Sequence, residues 1–408
     1  MLFRVSLTNS TTERTVIAPT GGARIRLVLL LGILTALGPF TVDMYLPALP
    51  QITQEFGTSE TMVQLTLTGT LLGLAFGQLI IGPLSDIYGR RRPLLVGTVI
   101  HVGASLACFF APSIEVLTTL RTLQGFGAAA TGVIAMAIVR DLFTGHDAAV
   151  VLSRLMLVMG VAPILAPSIG GALMSVTQWR GVFLALFLLG IAMIALAAAS
   201  LPETLPPENR SGKGIGAIAR SYIALGRDAH FMVLVLVCGL GRGVLWSYIA
   251  ASSYVMQEQF GLSATAYGFA FAGGAVVLIG SSQLNVVLLG RWSPNSITIW
   301  AMWGSSVVGA AFVAVAATDS LGFVGFAVPI LLMLCATGFV MPNAPAVALS
   351  RHGEAAGSAA ALIGFAQFGA AAVVAPIVGL LGNTSLAVAI SMTGASVLGV
   401  IALLWVRR

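Results

Sequence analysis

The sequence predicts an all-α polytopic membrane protein: twelve transmembrane helices forming two six-helix bundles around a central cavity. Three observations carry that prediction. The 408 residues are 58% hydrophobic and only 8% charged, with a mean hydropathy of +0.99, which no ordinary soluble domain approaches. Apolar runs of ~20 residues, each long enough to cross the hydrocarbon core as a helix, recur at 27–49, 62–84, 94–111, 116–139, 155–176, 181–201, 229–255, 264–290, 296–317, 320–349, 355–381 and 384–406. One long polar, proline-containing and basic connection, 202–228, separates the first six runs from the last six. The organisation is therefore a tail (1–26), a first bundle (27–201), a linker (202–228) and a second bundle (229–406). Hydropathy supports the halves, although no residue-level repeat relates them.

Charge orients the chain. With the N-terminus cytoplasmic, inner loops and tails hold seventeen basic residues and the outer loops hold Arg180 alone. By the positive-inside rule both termini are expected in the cytoplasm. The net charge of +6 could suggest nucleic acid, but these residues flank apolar segments, so the bilayer is the expected partner. Cys108, Cys238 and Cys335 lie deep in apolar runs and read as small buried hydrophobes. The first run follows Arg24 and Arg26, lacks a small-residue cleavage site and is interrupted by Asp43, so it reads as a retained helix and not a signal peptide.

Asp43 is the only one of fourteen acidic residues expected inside a span. It lies past the middle of the first run, in Gly38-Pro39-Phe40-Thr41-Val42-Asp43-Met44-Tyr45-Leu46-Pro47. A carboxylate at such depth costs about 2.5–3.5 kcal/mol, and its default reading is functional. A proton or a cationic group can bind it reversibly. In the second run Gly69, Gly73 and Gly77 form a small-residue stripe, a packing face and not a phosphate loop. That run ends in Gly82-Pro83-Leu84-Ser85-Asp86-Ile87-Tyr88-Gly89-Arg90-Arg91-Arg92. Gly82 and Gly89 there would permit close backbone approach, and Asp86 would face a helix N-terminus or an Arg. This stretch resembles the signature loop between helices 2 and 3 of the major facilitator superfamily. The resemblance implies that Asp86, with Arg90, Arg91 and Arg140 nearby in the inner loops, latches the two bundles together on the cytoplasmic side.

The third run contains His101, read as a satisfied structural histidine. The fourth carries Arg121 in Leu120-Arg121-Thr122-Leu123-Gln124-Gly125-Phe126-Gly127, similar to the superfamily's helix-4 motif, whose Arg is associated with proton transfer. Helices 1 and 4 run in opposite directions, so Asp43 and Arg121 share a depth in the outer half of the bilayer. An ion pair, direct or through water, is expected, either as a protonation switch or as a structural tie. The fifth run reads Gly160-Val161-Ala162-Pro163-Ile164-Leu165-Ala166-Pro167-Ser168-Ile169-Gly170-Gly171. Its small residues favour packing and its prolines free carbonyls. It resembles the helix-5 motif of exporters in the superfamily, with Ala166 in place of a Gly. Asp43-Met44-Tyr45-Leu46-Pro47-Ala48-Leu49-Pro50, Arg140-Asp141 and Pro202-Glu203-Thr204-Leu205-Pro206 narrow the likeness to the bicyclomycin and chloramphenicol resistance (Bcr/CflA) branch.

In the second half the seventh run offers Arg242, Trp246 and Tyr248, and the tenth offers Asn343 between Pro342 and Pro345. With Tyr45, these are candidates for a drug-sized cavity, which is mostly apolar and aromatic with a few placed polar groups. Near 340 the tenth run is also a candidate broken helix. Arg242 has no second intramembrane acid to pair with. It faces a water-filled cavity, or leans on Asp43 or on backbone carbonyls, and would shape substrate choice. No cluster has metal-ligand spacing and no nucleophile–base pair is visible, so neither an enzyme nor a metal site is expected, and no cofactor beyond a coupling proton. The resemblance implies a monomeric, proton-coupled exporter of small drugs in a bacterial inner membrane, working by alternating access. The alternative is a proton-coupled carrier of a small endogenous metabolite.

Overall fold

The computed structural model describes residues 21–210, 214–350 and 356–406. The residues counted for orientation at Arg4, Arg14, Lys213, Arg351, Arg407 and Arg408, and most of the expected tail, lie outside them. Among the described residues there is no strand. The helices are α1 (Gly21–Asp43), α2 (Leu49–Phe56), α3 (Glu60–Tyr88), α4 (Arg91–Phe109), α5 (Ile114–Leu142), α6 (Gly145–Met174), α7 (Trp179–Ser200), α8 (Gly214–Arg227), α9 (Ala229–Tyr254), α10 (Ala264–Leu288), α11 (Pro294–Ala317), α12 (Gly322–Leu349), α13 (Ala356–Leu380) and α14 (Ser385–Val406). Twelve spans are long and apolar enough to cross a membrane, with α1 and α2 forming one of them and α8 lying in the linker.

Local chemistry sets several helix starts. The side chains of Ser59, Ser113, Asp228, Ser263 and Ser293 each accept the backbone N–H three residues on, capping α3, α5, α9, α10 and α11. Packing then follows small residues. A Cβ on Gly73 would lie 2.1 Å from the Thr122 carbonyl oxygen, so α3 seats directly on α5. In the first half α5 packs against α1, α3 and α4; in the second, α9 packs against α12, α13 and α14. Across the halves, α3 runs along α13 and α6 along α10.

Two expectations about continuity are reversed. The first span is not one helix from 27 to 49. It stops at Asp43 and resumes through a 3-10 turn, Leu46–Ala48, into α2. Pro47 and Pro50 have no N–H to give to the carbonyls four residues back, at Asp43 and Leu46, and the Leu46 carbonyl is bonded instead by Ser253 of α9. The tenth span, by contrast, is unbroken. Pro342 frees the Gly338 carbonyl, and Ser282 Oγ on α10 takes it at 2.8 Å, while Asn343 Nδ2 bonds the Phe339 carbonyl at 2.8 Å. Freed carbonyls that find side-chain donors let a proline-containing membrane helix continue.

Candidate functional site

Asp43 is the last residue of α1 and is only 5% exposed. Arg242 on α9 and Asp43 lie in each other's electrostatic field, and Tyr267 of α10 and the neighbouring Tyr45 are in the same field. Among the described residues no hydrogen bond or ion pair reaches the Asp43 carboxyl. The direct Asp43–Arg121 pair expected from sequence is therefore not formed here. Arg121 instead donates through Nη1 to the Thr41 carbonyl at 2.9 Å and to Gln124 Oε1 at 2.6 Å. Its guanidinium lies over the Tyr45 ring, 3.9 Å from the centroid, and 5.6 Å from that of Phe183. The helix break makes this possible, because the carbonyls of the last turn of α1 are open to a side-chain donor.

A chain of buried polar groups continues from there. Gln124 Nε2 bonds Ser105 Oγ at 2.8 Å, and Ser105 Oγ bonds the His101 carbonyl at 2.7 Å. His101 Nε2 meets Thr41 Oγ1 at 2.9 Å, and that hydroxyl is directed to the Leu37 carbonyl at 2.7 Å. With the hydroxyl hydrogen used there, Nε2–H is the donor. His101 thus anchors α4 to α1. Thr41, Ser105 and Gln124 were absent from the sequence-derived site. Their signal was available as polar residues inside apolar runs, but each alone is common in membrane helices.

The two halves meet beside Asp43. At the end of the molecule away from the linker, Ser253 Oγ donates to the Leu46 carbonyl at 2.7 Å and Gln257 Nε2 to the Pro47 carbonyl at 3.3 Å. Tyr254 OH and Thr53 Oγ1 are 3.0 Å apart. Gln64 Nε2 bonds the Ala250 carbonyl at 2.9 Å and also Asn383 Oδ1, and Asn383 Nδ2 bonds Glu60 Oε2 at 2.5 Å. The carbonyls exposed by the break in α1 are thus received by α9 from the opposite half, and this end is closed.

The helix-5 motif lies on the same seam. A Cβ at Gly170 would sit 1.9 Å from the Met44 carbonyl oxygen, next to Asp43; one at Gly171 would sit 2.6 Å from the Ala264 carbonyl oxygen on α10. Ser168 Oγ donates to the Gly268 carbonyl at 3.3 Å, in line with a packing of Gly268 on Pro167. Gly160 faces Ile279. Helix α6 continues through both Pro163 and Pro167.

The residues expected to latch the two bundles gather at the linker end, bonded to the first half and to the start of the linker. Arg90, 6% exposed, forks onto Asp141 (Nε to Oδ2 2.8 Å, Nη2 to Oδ1 3.1 Å) and bonds Asp86 Oδ1 at 2.5 Å. Burial alone would lower its pKa, yet the bonds to Asp141 and Asp86 outweigh that and leave it above the ordinary guanidinium value. Glu203 Oε1 accepts the Arg90 N–H at 2.7 Å, and Arg210 approaches Glu203 Oε2 at 3.9 Å. Arg91 Nη2 caps the Ala198 carbonyl at 2.7 Å, and Arg140 is exposed. The acids that satisfy this turn are Asp141, in the last turn of α5, and Glu203, just past the end of α7. Gly89 has φ +88° and its Cβ would fall 2.4 Å from Glu203 Oε2, so glycine is required. Gly82 has ordinary room, its nearest neighbour being Val133 at 3.6 Å, so the expected close approach is absent there.

The cavity candidates divide. Tyr45 is buried, bonded to Thr66 Oγ1 at 3.1 Å and covered by Arg121. Tyr248 stacks on Phe271 at 5.4 Å, and Trp246 packs near Phe368 at 6.5 Å, its indole N–H lacking an acceptor among the described residues. Asn343 is tied to Asn285 of α10 at 2.6 Å, a satisfied amide pair within the second half and not a free recognition group. Arg242 lines a narrow crevice with Met341, Pro345 and Gln367, and among the described residues its Nη1 hydrogen-bonds the Met341 sulfur alone, at 3.4 Å.

Over residues 31–376 the chain matches the family described as Major Facilitator Superfamily. It is 34% identical over 391 residues to the "Uncharacterized MFS-type transporter YdgK" of Bacillus subtilis (strain 168), covering 94% of this chain and 96% of that one. It is 32% identical over 351 residues to the "Bicyclomycin resistance protein homolog" of Haemophilus influenzae, covering 86% and 88%. Among solved structures, the partially occluded inward-open xylose transporter XylE from E. coli superposes with a TM-score of 0.72 at 14% identity, covering 93% and 96%, a likeness of fold.

Proposed function

The chain belongs to the Major Facilitator Superfamily, a multi-pass membrane transporter and not an enzyme, and on that premise we propose that it exports small antibiotics and drugs across the bacterial inner membrane in exchange for protons. The observation that carries this reading is the Asp43 carboxyl, buried with no hydrogen bond or ion pair among the described residues, at a helix break on the seam between the halves. A carboxyl so placed has two electrical states with different neighbours: neutral where nothing pairs with it, ionised where a guanidinium reaches it. A proton entering from outside binds Asp43 as cargo leaves. The protonated carrier returns, releases the proton inside and takes the next molecule. The α6 seam and a relative named for bicyclomycin resistance support export over uptake. Arg121, held on the Thr41 carbonyl, sets the position of the α1 end that bears the carboxyl.

The test is drug susceptibility of an efflux-deficient bacterium expressing the chain, with amphenicols, bicyclomycin, fluoroquinolones and lipophilic cations, joined to uptake into inverted membrane vesicles after an imposed pH step. Resistance to at least one drug, with uphill movement that collapses when the gradient is dissipated, is expected. Indifference to every drug would leave a metabolite carrier as the better reading.

The proposed orientation places both termini in the cytoplasm, with the closed end outside. In a cysteine-replaced background, Thr58→Cys should react with an impermeant maleimide in intact cells and Ser211→Cys only after permeabilisation. The reverse pattern would invert the topology.

A further inference from the structure

We propose that Tyr222 of the linker helix α8 is the catch that holds the two halves together at the linker end, by donating its hydroxyl to the backbone carbonyl that Pro83 frees in α3. The charged residues of the signature stretch are spent elsewhere: Arg90 binds Asp141 and Asp86, and Glu203 accepts the Arg90 N–H. The proline of that stretch has a separate consequence. Pro83 lies inside α3 and has no N–H to give to the carbonyl four residues back, at Leu79. Tyr222 OH donates to that carbonyl at 3.0 Å, from 143 residues away. As at Pro342 in α12, a side-chain donor from another element takes the place of the missing amide. Burial, and then the Asp86 carboxylate, raise the pKa of the Tyr222 hydroxyl, so it keeps its proton and stays a donor.

Helix α8 is built into the second half. A single residue, Asp228, separates it from α9, and the Asp228 carboxylate accepts the Phe231 N–H at 3.0 Å, capping α9. Leu225 is 3% exposed and belongs to one apolar cluster with Phe231, Leu234 and Val235 of α9 and Ala359 of α13. Three residues before Leu225, Tyr222 reaches α3 of the first half. Nearer the closed end α3 and α13 touch directly. The rings of Phe76 and Phe365 are 5.6 Å apart, and a Cβ on Gly364 would lie 3.0 Å from Gln78 Oε1. At Leu79, the next residue on α3, the contact from the second half is α8 itself. Among the described residues this is the one hydrogen bond between the halves at the linker end.

The consequence is mechanical. Rocking that opens the linker end carries α8 away with the second half and breaks the bond. Water then serves the Leu79 carbonyl, so the catch biases the equilibrium between the two arrangements by about two- to tenfold, the net worth of one hydrogen bond. Tyr222 is a positioning residue that touches no cargo. The inference holds whatever the cargo is and whichever way it moves.

The experiment uses the purified full chain in lipid nanodiscs, in a cysteine-replaced background, with spin-label pairs read by double electron–electron resonance. Thr144→Cys with Arg291→Cys reports the linker end, and Thr58→Cys with Ser320→Cys reports the closed end. Tyr222→Phe should raise the ratio of long to short distances at the linker end about two- to tenfold and leave the closed end as in the wild type. Pro83→Ala gives α3 its own N–H for the Leu79 carbonyl. It should shift the ratio the same way, and adding Tyr222→Phe to it should change little further. An unchanged ratio in Tyr222→Phe, or shifts of the two single variants that multiply in the double, would overturn the proposal. Widening at both ends would overturn it too, as the mark of general loosening and not of a lost catch. Tyr222→Phe decides alone if Pro83→Ala does not fold. None of these readings depends on a drug, so failure of the export reading is a separate result.

Discussion

Asp43→Asn should reduce drug resistance to that of cells lacking the gene while leaving the protein folded and in the membrane at the wild-type level. The carboxyl has no hydrogen bond or ion pair among the described residues, so an amide of the same shape removes no native contact. Replacing a buried, unpaired ionisable group by a neutral isostere is expected to change stability by no more than about 1 kcal/mol, and in the stabilising direction if anything. What the amide removes is the ability to gain and lose a proton. If proton and drug compete, linkage makes the effect reciprocal: wild-type drug affinity rises with pH by up to about tenfold per pH unit for one competing proton. The Asn variant should bind drug with a flat pH profile and still catalyse downhill exchange. Tryptophan-quenching titrations between pH 5.5 and 8.5, beside the susceptibility test, would check both halves of this expectation. Resistance that survives the substitution would leave export in place but remove Asp43 as its coupling group.

The large features were legible in the sequence because hydrophobicity and length leave few alternatives in a membrane. Twelve apolar runs became twelve spanning units among the described residues. What was not legible depended on which donor meets which freed carbonyl. Pro47 and Pro342 look alike on paper. At the second the freed carbonyl is taken by Ser282 of α10 and the helix continues, while beside the first the helix breaks and the Leu46 carbonyl, freed by Pro50, is taken by Ser253 of α9. The site had the same limit. Asp43, Arg121 and Arg242 announce themselves as charges among apolar neighbours. That Arg121 would choose a backbone carbonyl over Asp43, or that Asn343 would be spent on Asn285, needs coordinates. The Arg90 cluster carries a similar lesson. The motif located the charged turn, but Asp141 at the end of α5 and Glu203 just past α7 decide that it ties the first half to the start of the linker.

The helix-5 motif yields the second large effect, Gly170→Ala. A methyl at Gly170 would meet the Met44 carbonyl oxygen at 1.9 Å, a backbone atom with no flexible end to swing away. Real Cβ contacts essentially never fall below 3.0 Å, so α1 and α6 must separate by about an ångström. Forced overpacking of this kind costs about 1–3 kcal/mol. The displaced residue directly follows Asp43 and belongs to the break that α9 closes through Leu46 and Pro47. The seam, the closed end and the carboxyl therefore shift together. Driven transport should fall by an order of magnitude or more, and the melting temperature of the detergent-solubilised protein should drop by several degrees. Gly38→Ala, one and a half turns earlier on α1, is the matched control: its Cβ has nothing within 4 Å, so transport and melting should stay at the wild-type values. A Gly170→Ala protein that pumps and melts like the wild type would mean that α1 and α6 separate freely at this point. The motif would then need a role other than holding the Asp43 break against the seam.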